Sequence, residues 1–142
     1  SNAPVTLNEN NDVFNLSANV ENTSLQFSDR NDLNIGLNGI TAGNVDLFAG
    51  GDITQTATIS AGTASFRTTQ NADIKLDMPN NSITGAVSFN NARNVDFTNS
   101  DLSNTNLSGQ DLSSHDLKNT KLNQANLSNT ILPNQKSCFS FP

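Results

Sequence analysis

The chain has 142 residues, about one-third of them apolar, a net charge of −6, a single cysteine and neither Trp nor Tyr. That length is one domain's worth; the lone Cys138 excludes an internal disulfide, and only seven Lys and Arg set against scattered acids exclude a basic nucleic-acid footprint. No apolar run approaches the ~18 residues that span a bilayer, and no signal-peptide core is present, so a mature segment or excised piece of a longer protein is expected.

Ser1-Asn2-Ala3 reads as an expression scar. Residues 4 to 24 carry apolar side chains at Val5, Leu7, Val13, Phe14, Leu16 and Val20, separated by Asn. Short strands are expected there, without a clear register. Asn contributes 25 residues to the whole chain. It is depleted in strands and poor in helices, but suits tight turns and the amide ladders of stacked coils.

From Leu25 the rhythm becomes one of apolar-x-apolar couples: Leu25/Phe27, Leu33/Ile35, Val45/Leu47, Ala64/Phe66, Ile74/Leu76, Val87/Phe89 and Val95/Phe97. Alternate residues of a strand share a face, so each couple is one inward-facing strand segment. The couples and single Ile residues sort into three columns that return about every twenty residues. These are Phe27, Leu47, Phe66 and Phe89; Ile35, Ile53, Leu76 and Phe97; and Ile40, Ile59, Ile83 and Leu102. Three columns predict three strands per coil of a parallel β-helix. Leu47-Phe48-Ala49-Gly50-Gly51-Asp52-Ile53-Thr54-Gln55 and Asn81-Ser82-Ile83-Thr84-Gly85-Ala86-Val87-Ser88-Phe89 belong to a stretch, 25 to 100, that resembles filamentous-haemagglutinin-type exoproteins. Those are bacterial surface or secreted adhesins of two-partner secretion or related routes. The resemblance implies a secreted or cell-surface location and a role in adhesion and virulence.

Between 95 and 134 a Leu or Phe returns every fifth residue: Phe97, Leu102, Leu107, Leu112, Leu117, Leu122, Leu127 and Leu132. A helix would place them three and four apart, a half-buried strand two apart. The units VDFTN, SDLSN, TNLSG, QDLSS, HDLKN, TKLNQ, ANLSN and TILPN resemble pentapeptide repeats. That resemblance implies a right-handed, four-sided β-helix with the Leu/Phe and the small residue two before it facing inward. Ser100, Thr105, Thr120, Ala125 and Thr130 suit the small position; Gln110 and His115 do not, so the coil is expected to bulge there or those side chains to tip outward.

The expected fold is therefore all-β: a single-stranded right-handed parallel β-helix (β-solenoid), continuous over 4–142. Coils of three sides at 25–94 pass into four-sided coils at 95–134, because Val95/Phe97 belongs to both series. Residues 135–142 leave the register, and Phe139 and Phe141 are expected to cap the open core, as solenoid ends require, with docking of another subunit as the rival reading.

No catalytic constellation emerges, and no cofactor or metal is expected. Asp96, Asp101, Asp111 and Asp116 take the outward Asp/Asn position of their units, His115 has no nucleophile and acid to work with, and Gly50-Gly51-Asp52 reads as a turn rather than an ion site. Thr54-x-Thr56-x-Thr58 does not recur at the coil spacing, which sets ice binding aside. The expectation is a non-enzymatic shaft that contacts a host-cell or matrix surface, or a neighbouring bacterial surface, through protein or glycan, with an end-to-end homodimer as its admitted oligomer and no nucleic acid as partner. The alternative is a pentapeptide-repeat DNA mimic that binds a DNA-manipulating enzyme; a carbohydrate-active β-helix enzyme ranks lower.

Overall fold

The computed structural model describes residues 3–69 and 71–134. Cys138, the Phe139/Phe141 cap and the first two residues of the expression scar lie outside them. The described residues contain no helix; the nine strands form one sheet in which every pairing is parallel. They are β1 (Val5–Asn11), β2 (Asn15–Asp29), β3 (Leu33–Ala49), β4 (Ile53–Gln55), β5 (Ile59–Thr68), β6 (Asp73–Lys75), β7 (Ser82–Ile83), β8 (Val87–Asn90) and β9 (Asn94–Asp96). The chain is a β-solenoid. One hydrophobic cluster runs inside it from Leu16 to Leu122.

The register starts earlier than the couples suggested. Val5 pairs with Leu25 and Leu7 with Phe27, so the first coil is already in step. The same ladder continues from Leu25 to Val45, Ala64 and Val87, and from Phe27 to Leu47, Phe66 and Phe89. Phe89 is only half-buried, but its ring stacks on Phe66 at 5.7 Å and meets Phe97 edge-on at 5.1 Å. Such pairs add about 0.5–1.5 kcal/mol beyond burial.

The other two columns need correction. Ile35 stacks on Gln55, not on Ile53; Leu33, Ile53, Ile74 and Val95 form that column instead. Likewise Ala61 stacks on Ile83, which sets Asn81 beside Ile59. Both slips have one cause. Gln55 and Asn81 are buried polar residues at inward positions, and a search for apolar couples passes over them. Their amides bond reciprocally, Gln55 Nε2 donating to Asn81 Oδ1 at 2.9 Å and Asn81 Nδ2 to Gln55 Oε1 at 2.8 Å. The remaining capacity goes to the Ala57 and Leu76 carbonyls and to the Ile59 N–H. A buried polar pair so completely bonded fixes register without the desolvation penalty of an orphan.

Beyond β9 the coils are held by single bridges, Asp96 to Asp116, Asp101 to Lys121, Asn106 to Asn126 and Asp111 to Ile131. Partners lie twenty residues apart and successive bridges five apart, which is a four-sided coil. Each five-residue unit is a turn with assigned roles. The Asp or Asn accepts the N–H two residues on, as Asp96 does from Thr98, Asp101 from Ser103, Asp116 from Lys118 and Asn126 from Ser128. The fifth residue takes a left-handed backbone at Asn99, Asn104, Gly109, Asn119, Gln124 and Asn129. Asn and Gly adopt that conformation most readily. The following small residue closes the turn by donating its N–H to the Leu or Phe carbonyl three back. Its hydroxyl then reaches across coils: Ser100 to the Leu76 carbonyl, Thr105 to Ile83 at 2.5 Å, Thr120 to Phe97 and Thr130 to Leu107, both at 2.8 Å. The central Leu or Phe is buried from Phe97 to Leu122; Leu127 and Leu132 are half-buried, at the end of the described stack.

The amide pair gives a test. Replacing Asn81 by Leu orphans the Ile59 N–H and one face of Gln55, so urea denaturation should show a loss of about 2–3 kcal/mol. The double substitution Gln55→Leu/Asn81→Leu should lose less than the sum of the two singles. Additive losses would mean the amides do not act as a pair.

Candidate interaction surface

The acids of the pentapeptide units hold turns, and they do not converge. Asp111 accepts from Ser113, and this bond holds its carboxyl below the usual range. Asp101 is held low in the same way by Ser103, with a contribution from Lys121 at 3.4 Å. Among the described residues no group of three or more His, Cys, Asp or Glu could hold a metal ion.

His115 points inward. It is only 9 % exposed, and its ring stands edge-on to Phe89 at 6.4 Å. The turn from Leu112 to His115 closes with the usual bond, but Ser114 lacks the left-handed backbone of the other fifth residues. Ser114 Oγ lies 3.2 Å from His115 Nδ1. Gln110 is half-buried. Burial pushes the His115 pKa below its ordinary 6.5, opposed by the Ser114 bond and by Asp111.

The corner between the first two sides of the coil carries a different arrangement. Asp12, Asp32, Asp52 and Asp73 recur there at steps of 20, 20 and 21 residues. The outermost two are neutralised, Asp12 by Arg30 and Asp73 by Arg93 at 2.6 Å; the arginine hydrogen bond lowers each carboxyl's pKa. Asp32 and Asp52 form no salt bridge among the described residues, and Arg93 lies within Coulombic reach of Asp52. Each instead accepts the backbone N–H of the next Asp in the column through Oδ1, Asp52 N to Asp32 at 2.9 Å and Asp73 N to Asp52 at 2.8 Å. Gly51 permits this stacking, because a Cβ there would overlap Asp32 Oδ1, and one on Gly50 the Arg30 carbonyl. The Gly-Gly-Asp phrase is thus a close-packed corner.

Beside these carboxylates stands Phe14, 79 % exposed. It walls a depression of about 300 Å³ with Asp32, Asn34, Asp52, Thr54 and Thr56. Asn34 is locked at its centre, donating to Asn15 and Thr56 and accepting from Thr54. Leu37 is a second exposed apolar side chain, 81 % exposed. Leu37 tops a bulge in which Leu16 pairs with Ile35 and Ala18 with Ile40. Its φ is +55°, a conformation unfavourable for Leu. Sequence reading missed both as site residues. The available signal was that neither falls in any column.

Residues 19–90 match the family described as Repeats of unknown function (DUF5649). The chain belongs to that family. Residues 93–129 match pentapeptide repeats in eight copies, so the DUF5649 coils run directly into pentapeptide coils. No curated protein and no solved structure is matched. Phe14 lies just before the DUF5649 match, while Asp32, Asp52, Thr54 and Thr56 lie within it.

Two outcomes follow. Because the folded state holds His115 neutral, the unfolded state binds more protons, and stability present above pH ~6.5 should fall as pH drops through and below that value. His115→Thr should flatten the thermal midpoint between about pH 7.5 and 5.5 relative to the parent chain. Leu37→Asn should stabilise by about 0.5–1 kcal/mol in urea denaturation, because Asn tolerates the left-handed backbone that Leu resists.

Proposed function

We propose that the chain is a structural and interaction segment of a secreted or cell-surface bacterial adhesin, a rigid shaft that displays binding surfaces and carries out no catalysis. The observation that carries this reading is the single buried spine from Leu16 to Leu122. It is wrapped by parallel ladders whose polar groups are spent on one another. A rod so built holds surface features at fixed heights. The filamentous-haemagglutinin resemblance of 25–100 supports the same reading and suggests export to the cell surface. The partners it suggests are a host-cell or matrix surface or a neighbouring bacterial surface, and the coil ends allow an end-to-end homodimer.

The DNA-mimic alternative has less support. A mimic needs a dense row of free carboxylates. Residues 95–134 hold four Asp against two Lys, and Asp101 is paired with Lys121. The two roles are separated by applying the purified chain to immobilised matrix proteins, host cells and bacterial cells, beside a gyrase supercoiling assay. Surface binding with unaltered supercoiling is expected. Gyrase inhibition without surface binding would overturn the shaft role.

A further inference from the structure

We propose that Phe14, Asp32, Asp52, Thr54 and Thr56 form a subsite for one or two units of an uncharged saccharide. This rests on the reading of the chain as a display shaft and names where that shaft makes contact. The Phe14 ring is 79 % exposed and is the aromatic that borders the depression. Here it rises beside groups suited to hydroxyls. Asp32 and Asp52 are each anchored through Oδ1 to a backbone N–H, which leaves the second oxygen of each as a fixed acceptor. Thr56 Oγ1 accepts from Asn34 and keeps its own proton to donate. A face of apolar C–H groups on one side and a row of hydroxyls on the other is the surface of a pyranose, and the depression matches both. The C–H face lies on the ring, which attracts partial positive charge, and the hydroxyls donate to the carboxylates.

Three features narrow the ligand. Asp32 and Asp52 are one coil apart, ~4.8 Å, about the span of hydroxyls across one sugar ring. The depression, about 300 Å³, sits at the small end of ligand sites. Finally, two carboxylates outside any salt bridge, in a chain of net charge −6, disfavour a sialic or uronic acid. The groove bordered by Ser24, Asn44 and Thr63 lacks these properties. No aromatic lines it, and its polar groups bond one another, Asn44 to Ser24 at 3.1 Å and Thr63 to Asn44 at 2.7 Å.

The test is saturation-transfer NMR and titration of the full chain with glucose-, galactose-, mannose- and N-acetylglucosamine-based disaccharides, with sialyllactose as the acidic control. At least one neutral disaccharide should bind with millimolar affinity, weakened about tenfold or more by Phe14→Ala and by Asp52→Asn. Thr63→Ala, in the other groove, should bind as the parent does. Phe14 is exposed, so its removal leaves the core intact, and an unchanged thermal midpoint verifies this. Absence of binding by every neutral sugar, equal binding of sialyllactose, or full affinity in Phe14→Ala would each overturn the subsite. Adhesion to cells or matrix without saccharide binding would sink the subsite and leave the shaft standing. Saccharide binding by a chain that adheres to nothing would do the reverse.

Discussion

Everything in this chain follows from parallel stacking at one strand spacing, ~4.8 Å per coil. Each residue then has a neighbour about twenty positions away in sequence, directly above or below. An apolar residue finds its like and builds a column. Several polar residues at inward positions have their bonds completed by the adjoining coil. The Gln55–Asn81 amide pair and the Ser and Thr hydroxyls on carbonyls of the coil above are such cases.

The same spacing constrains charge. Like carboxylates one coil apart repel unless each is held by donors or cations. The Asp12–Asp73 column is closed by arginines at its two outermost members and stitched by backbone N–H groups between. In the pentapeptide coils Asp96 stacks on Asp116, each tied to its own turn. Their acidity therefore says more about turn closure than about a partner.

The five-residue period was legible because every unit repeats the same turn, and the long ladder through Phe27, Leu47, Phe66 and Phe89 because its members are all apolar and large. The slips at Gln55 and Asn81 were not legible: hydrophobic pattern ranks residues by type, and a satisfied amide pair in the core is a property of two coils together. His115 was legible only as a misfit. Its inward placement goes together with a Ser114 outside the left-handed conformation, which repeat matching does not reveal. Phe14 and Leu37 stand outside every apolar column in the sequence, and the register shows that the coil faces them outward.

That last point bears on where function resides. Once stacking has satisfied amides, hydroxyls and most charges against their own copies, little unspent recognition chemistry remains. What is left lies where the repeat is broken. The three-residue bulge lifts Leu37 into an unfavourable backbone, and the corner before β2 turns Phe14 out beside two carboxylates outside any salt bridge. The left-handed backbone of Leu37 costs stability, and both departures fall near Asn15 and Asn34, which pair in register. The fold itself gives no packing role to a Phe14 ring exposed at the edge of the depression it walls. Contact with another molecule supplies one.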